Sequence, residues 1–356
     1  MIDLCKVTAI NDQLNDRYVT ENTYENVVTY PKLITLTTTL RCNYRCWMCY
    51  QQHFKGDLDW RIVERLEPVF PYIKTLQLFG GEPLLYDRME DLCRMTDQYC
   101  CELDIITNGS LLDEKRRALL VNYNASLIKV SLEAATQKTY ESIRGGNLNE
   151  VMGNLRALAE ERSRKNSSKP MLQINFVAME RNIRELPDLV RMAADAGVNK
   201  VLVLFMNAQN REDLARESLF LHQKLSDKYM AAAITAGREA GIEVTVPGFF
   251  KKSPEGYAEA VIDTTCHSPW KNCIVNMDGS VVFCCGNTGR NLGNILEQNF
   301  DELWYNEHIT AFRKVVNTQK QPSCCRTCRV KGRSINDPNF HIRDAELVEK
   351  LLTGRS

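Results

Sequence analysis

The sequence predicts an α/β protein, a parallel sheet whose right-handed crossovers curl it toward a barrel, followed by a small cysteine-rich domain. Three observations predict it. Apolar, β-branched runs alternate with helical periodicity from residue 33 onward, the composition changes after residue 246, and most of the 14 cysteines fall into two groups.

The first run, Leu33-Ile34-Thr35-Leu36-Thr37-Thr38-Thr39, reads as a strand. Further strand patterns cover Thr75 to Phe79, Leu103 to Thr107, Ile128 to Leu132, Leu172 to Val177 and Val201 to Phe205. Amphipathic helix patterns lie between them, such as Ile183, Leu186, Leu189, Val190, Ala193 and Ala196 on one face. Strand-helix units repeating at roughly 25 to 45 residues give parallel strands joined by crossovers. The pattern alone permits an open doubly wound sheet as well as a barrel. In both, ligands sit at the carboxyl ends of the strands. The chain divides into an extension (1–32), the α/β unit (33–246), the cysteine-rich unit (247–335) and a helical tail (336–356).

A length of 356 residues suffices for one large and one smaller domain. Lys+Arg and Asp+Glu both number 45, which removes a general electrostatic reason to bind nucleic acid or an anionic membrane. No apolar stretch reaches membrane-spanning length, and Met1-Ile2-Asp3-Leu4-Cys5-Lys6 does not begin a signal peptide. The expected location is the cytoplasm. In that reducing compartment the groups 42/46/49 and 266/273/284/285/324/325/328 read as metal ligation rather than disulfides. Cys5, Cys93, Cys100 and Cys101 read as packing or near-surface residues.

Cys42, Cys46 and Cys49 form C-x3-C-x2-C directly after the first strand. Three thiolates on a 4Fe-4S cluster leave one iron open to a small chelating molecule; a structural zinc site is the alternative. Phe79-Gly80-Gly81-Glu82-Pro83 ends the second strand. Its glycines permit close backbone approach to a ligand, and Glu82 suits an ammonium group. Thr107-Asn108-Gly109 closes the third strand and Ser131-Leu132-Glu133 the fourth, and Arg144 ends the helical pattern that follows. Hydroxyls and a carboxylate suit a ribose diol, and a guanidinium suits a carboxylate. Strand-end polarity and helix capping explain such residues equally well.

Together these motifs resemble the radical S-adenosylmethionine (SAM) superfamily. The resemblance implies a partial (β/α)6 TIM-like barrel and reductive cleavage of SAM, bound at the open iron, to a 5'-deoxyadenosyl radical that abstracts hydrogen from substrate. It implies that Gly80, Gly81 and Glu82 hold the SAM amino group and that Ser131 and Arg144 contact SAM, with Thr107, Asn108 and Glu133 as further candidates. The family pattern places an aromatic residue just before the last cysteine, where this chain has Met48. Adenine stacking then falls to Tyr50 or to the Met48 thioether.

After Pro247-Gly248 the chain enters Cys266-His267-Ser268-Pro269-Trp270, then the apolar run Cys273 to Met277. Asp278-Gly279 precedes the run Val281 to Phe283, a hairpin signal. A helix is expected from about Phe300 to Val316, and Cys324-Cys325-Arg326-Thr327-Cys328 follows. This portion resembles the twitch form of the SPASM domain, with Cys266, Cys284, Cys325 and Cys328 as ligands of an auxiliary 4Fe-4S cluster. Spacing alone chooses within the pairs 284/285 and 324/325, and a zinc knuckle remains the alternative. No cysteine follows Cys328, so a third cluster has no ligands.

A fully ligated second cluster cannot chelate substrate and is left with electron transfer, which favours oxidation. The small-molecule reading is therefore dehydrogenation of a sugar, aminocyclitol or nucleoside in natural product biosynthesis. Epimerisation follows instead if a thiol returns a hydrogen, and Cys273, Cys285 and Cys324 are the spare thiols, with Cys273 as the residue to test. Radical maturation of a ribosomal peptide is the alternative; the roughly thirty residues before the first strand are too few for a leader-binding module, which tilts the expectation toward a small molecule. A flavodoxin- or ferredoxin-type donor is the expected electron source. A non-catalytic iron-sulfur carrier is the remaining class. Met179, Glu180, Phe205, Asn207, Phe249 and Phe250 are candidate pocket residues, the five histidines show no metal or triad pattern, and the tail from Asp344 reads as an exposed helix.

Overall fold

Six strand-and-helix units build the front of the molecule in the computed structural model, which describes residues 3–51, 54–251, 265–284, 291–326, 328 and 335–353, without the side chains of Cys324 and Arg326. The strands are β1 (Leu33–Thr39), β2 (Thr75–Gly80), β3 (Glu102–Thr107), β4 (Leu127–Ser131), β5 (Met171–Ala178) and β6 (Lys200–Phe205). Each pairs in parallel with the next. Ile34, Leu36, Leu76, Leu78, Ile105, Ile128, Val130, Leu172, Ile174 and Val201 are fully buried. Burying each such side chain is worth about 1.5–3 kcal/mol, so the alternation read from the sequence becomes the interior. The helix Leu186–Asp195 turns Leu186, Leu189, Val190 and Ala193 inward, as its periodicity predicts.

The sheet does not stop at six strands. A short β7 (Glu243–Thr245) extends it beyond β6, while β8 (Asn272–Val275) lies parallel to β1 on the opposite side. The Asp278-Gly279 turn joins β8 to an antiparallel β9 (Ser280–Val282), with Ile274 opposite Val282. A fourth added strand, β10 (Asn291–Asn294), pairs antiparallel with β9. All ten strands form one sheet in the order β10-β9-β8-β1-β2-β3-β4-β5-β6-β7. The cysteine-rich unit thus continues the sheet of the α/β unit. Strands β7 and β10, only three and four residues long, lack the apolar alternation that marks the others.

One element goes beyond the sequence reading and two expectations need correction. Residues before β1 contain a helix, Leu4–Thr20, whose buried face is Thr8, Asn11, Asn15 and Val19. That stripe has helical spacing but is mostly polar, so apolar periodicity does not reveal it. Its amides hold chain ends: Asn11 Nδ2 donates to the Tyr30 and Tyr72 carbonyls at 3.0 Å each, and Asn15 Nδ2 donates to the Tyr30 carbonyl at 2.8 Å. From the cysteine-rich unit, Trp270 Nε1 donates to the Thr23 carbonyl at 2.7 Å and Trp304 Nε1 to the Thr29 carbonyl at 2.9 Å. The expected helix from Phe300 to Val316 is two helices, Phe300–Trp304 and Glu307–Val316, because the Asn306 side chain accepts from the Ile309 N–H and starts a new one. The tail helix, Ala345–Thr353, is docked rather than fully exposed: Leu347 and Val348 are buried with Ile143, Met179 and Met206, against Trp47 and Met48.

Candidate active site

The cysteine loop leaves β1 across the carboxyl ends of the parallel strands. It is held at several points. Asn43 Nδ2 donates to Ser110 Oγ at 2.8 Å, and Asn108 Nδ2 donates to Asn43 Oδ1 at 2.9 Å. The Trp47 N–H donates to the Ile143 carbonyl at 2.8 Å, at the end of helix Gln137–Arg144. Arg181 lies 4.0 Å over the Trp47 ring, and Arg211 Nη1 donates to the Trp47 carbonyl at 2.9 Å.

Each of the three sulfurs accepts a hydrogen bond. The Tyr44 N–H donates to Cys42 Sγ at 3.4 Å, the Gln51 N–H to Cys49 Sγ at 3.2 Å, and Arg144 Nη1 to Cys46 Sγ at 3.6 Å. Burial pushes the Cys42 and Cys46 thiols up, so neither ionises readily in isolation. Donors at every sulfur are what metal-bound thiolates require, since such bonds stabilise sulfur charge and set cluster potential. All three cysteines line one cavity of about 740 Å3, yet among the described residues no three Cys, His, Asp or Glu side chains converge on a point suited to a single metal ion. Three cysteines lining one cavity, each sulfur with a hydrogen-bond donor, are the donor set that would hold an iron-sulfur cluster.

The Gly80-Gly81 pair serves the same loop. A Cβ on Gly80 would lie 2.1 Å from the Thr39 carbonyl oxygen, and one on Gly81 would lie 2.3 Å from that of Arg41. The missing side chains let the Gly81 N–H reach the Thr39 carbonyl at 2.7 Å and the Glu82 N–H reach that of Arg41 at 2.8 Å. Both glycines also line the cavity. Glu82 does not: it is fully buried, accepting from the Leu84 N–H at 3.1 Å, Thr107 Oγ1 at 2.7 Å and the Asn108 N–H at 2.7 Å. Burial raises its pKa, against the pull of these donors. Its observed bonds join the ends of β2 and β3 rather than present a free carboxylate to an ammonium group.

Thr107, Asn108 and Ser131 line the cavity, as does Arg144. Glu133 is fully buried and pairs with Arg144 through both oxygens, Arg144 Nη2 lying 2.6 Å from Glu133 Oε1 and Nε bonding Oε2. Burial alone would lower the arginine pKa, but the Glu133 charge overrides it and raises it. Tyr50, Met48, Phe205 and Asn207 also line the cavity. Phe249 and Phe250 are buried, and Phe250 stacks obliquely near Phe205 and His341. Met179 is fully buried and Glu180 pairs with Arg184 at 2.8 Å. The cavity rim adds Phe54 and Leu204, which no motif marks.

Cys273 is corrected as a hydrogen donor. It is fully buried at the β8 position opposite Ile34, it is no part of the cavity lining, and burial pushes its thiol pKa far up. It packs the interior. Cys285, the Cys324 side chain and His53 lie outside the described residues. Cys325 is buried in the main core and half-buried Cys266 and Cys284 pack against it, while Cys328 is half-buried. The Asn317 amide fixes Cys266 from both sides, Oδ1 accepting its N–H at 2.8 Å and Nδ2 donating to its carbonyl at 3.2 Å.

The sequence profile of the radical SAM superfamily matches residues 36–193, and that of the SPASM iron-sulfur cluster-binding domain matches residues 266–329. The chain is a radical SAM protein with a SPASM domain. Its cofactors are SAM, the 4Fe-4S cluster at which SAM binds, and auxiliary iron-sulfur cluster chemistry in the second domain. This radical SAM enzyme is similar to the tungsten-containing aldehyde ferredoxin oxidoreductase cofactor-modifying protein of Pyrococcus furiosus, 26% identical over 321 residues that cover 82% of this chain and 86% of the relative. It is also similar to the AdoMet-dependent heme synthase of Methanosarcina barkeri, 24% identical over 331 residues, 85% and 89% of the two chains. Streptococcus suis SuiB bound to S-adenosylmethionine superposes with a TM-score of 0.66 at 16% identity, over 94% of this chain and 81% of that one, which shows a shared fold. Among the described residues no helix is long and apolar enough to cross a membrane.

Proposed function

We propose that this radical SAM enzyme modifies an apolar side chain of a ribosomally made peptide or protein. The observation that carries the reading is the rim of the cavity. Tyr50, Phe54 and Leu204 are three of the seven large apolar side chains left exposed among the described residues, and all three border this cavity. Exposed apolar surface gathered at a cavity mouth suits a partner that buries apolar groups there. A sugar or aminocyclitol would instead strand its hydroxyls against that rim, at about 1–3 kcal/mol for each unmatched group. The crystal structure of Streptococcus suis SuiB bound to its precursor peptide SuiA, a fold neighbour, adds support, and the dehydrogenation and epimerisation readings have the weaker case.

In this reading Cys42, Cys46 and Cys49 hold the SAM-binding cluster, and Cys266, Cys284, Cys325 and Cys328 hold the auxiliary one. The cluster and SAM together supply the radical that removes a substrate hydrogen atom. Gly80, Gly81, Thr107, Asn108 and Ser131 shape the cavity wall against SAM, with Glu82 locking that wall from behind. Tyr50 and Met48 cover the adenine side, and Tyr50, Phe54 and Leu204 exclude water where the peptide enters. A flavodoxin- or ferredoxin-type protein delivers the electron, and the cytoplasm keeps the free thiols reduced.

The test is deuterium transfer. Peptides from small reading frames beside the gene, made with deuterated Val, Leu, Ile or Phe, are incubated with reconstituted enzyme, SAM and dithionite, alongside deuterated sugars and aminocyclitols. Deuterium should appear in 5'-deoxyadenosine from a peptide. Transfer from a sugar or aminocyclitol alone would return the function to small-molecule oxidation.

A further inference from the structure

We propose that Arg144, oriented by Glu133, tunes the SAM-binding cluster through the Cys46 sulfur. The proposal rests on radical SAM family membership and not on the peptide reading. A guanidinium carries its five N–H donors in a rigid planar fork. Two directions are taken by Glu133, whose oxygens bond Nε and Nη2. That bidentate grip fixes the plane, so Nη1 faces Cys46 Sγ at 3.6 Å. Glu133 is itself held: it is fully buried, and its backbone carbonyl accepts from Asn182 Nδ2 at 3.1 Å.

The other two sulfurs are served differently. Cys42 and Cys49 each accept a backbone N–H from the residue two places on. Cys46 receives a charged donor, and charged hydrogen bonds are about twice as strong as neutral ones. A buried ion pair is a poor way to gain stability, because desolvation offsets most of the attraction. Its use here is explained by the need for positive charge beside one cluster ligand. A cation next to the sulfur favours the more negative, reduced cluster and raises its potential, while Glu133 moderates that effect.

The measurement is the midpoint potential of the site cluster, followed by electron paramagnetic resonance in reconstituted holoenzyme without SAM, its signal told from that of the auxiliary cluster as the one that added SAM alters. Arg144→Gln should shift the potential to more negative values and Glu133→Gln to more positive ones, with Arg144→Lys between Arg144→Gln and the native chain. A purely structural pair would not give shifts of opposite sign. Potentials equal to native in all three, with SAM affinity lost in the arginine variants, would assign Arg144 to SAM alone and overturn the proposal. If Arg144→Gln binds no iron, Arg144→Lys and Glu133→Gln decide, since both keep a cation beside Cys46. A more negative potential in Arg144→Lys and a more positive one in Glu133→Gln support the proposal, and potentials equal to native in both, or equal loss of iron in all three, overturn it.

Discussion

The Tyr50 hydroxyl donates to the Asn207 carbonyl at 3.1 Å, tying the end of the cysteine loop to the segment after β6. One bond thereby joins the first and sixth parallel strands across the mouth of the cavity. Tyr50→Phe keeps the ring and removes that tie. A hydrogen bond of this kind is worth about 0.5–1.5 kcal/mol, so SAM should bind the iron-loaded variant about 2- to 10-fold more weakly in calorimetry. Tyr50→Ala, which also removes the ring, should lose more. Equal affinities for native, Phe and Ala forms would remove Tyr50 from the cofactor site.

Gly81 is a steric requirement. Gly81→Ala places a methyl group against the Arg41 carbonyl, which belongs to backbone and cannot turn aside. The expected cost is on the order of 3 kcal/mol, with lower iron content after anaerobic reconstitution. Gly153 is the contrast, because it lies in the helix Leu148–Arg164 with nothing within 4 Å of an added Cβ. Gly153→Ala should stabilise the chain by about 0.5–1 kcal/mol. Denaturant midpoints of the two variants should move in opposite directions.

Asn15 tests the docking of the first helix. It is fully buried, and besides holding the Tyr30 carbonyl it accepts from Thr29 Oγ1 at 2.6 Å. Asn15→Leu matches its size but leaves the Thr29 hydroxyl without its acceptor, at about 1–3 kcal/mol, and takes from the Tyr30 carbonyl one of its two amide donors. The melting temperature should fall, and protease cleavage before Leu33 should speed up. An unchanged melting temperature would mean that the Asn15 bonds contribute nothing to the docking of the helix.

Alkylation sorts the cysteines. Burial pushes the Cys93 and Cys101 thiols up to about 12, so at pH 8 roughly one in ten thousand molecules carries either thiolate. Anaerobic iodoacetamide should label exposed Cys5 first and leave Cys93, Cys101 and Cys273 untouched until the chain unfolds. Stripping iron with a chelator should add Cys42, Cys49, Cys266, Cys284 and Cys328, read by peptide mass. A residue of that set labelled equally fast with and without iron does not ligate a cluster.

The strands of the α/β unit are legible because each carries alternating apolar or β-branched residues, and the cysteine loop because three thiols at close spacing state their chemistry. The helix Leu4–Thr20 was not legible: its inward face is Thr8, Asn11 and Asn15, polar residues that earn burial only by bonding carbonyls brought near by the rest of the fold. The docking of Leu347 and Val348 against Met48 was hidden for a related reason, since a short apolar helix face does not name the surface it covers.

Local chemistry in the chain is enough to point to radical SAM membership, to place the first six strands along the sequence and to single out Cys42, Cys46 and Cys49 as candidate cluster ligands, because each rests on residues close together in sequence. Folding assigned what depends on distant residues meeting. It put Glu82 behind the cavity wall, joined Arg144 to Glu133 and Cys46, enclosed Cys273 in the core, and gathered Tyr50, Phe54 and Leu204 into an apolar mouth. Side-chain type tells what a group can bond, and only the packed chain sets which partner is within reach and whether water competes for it.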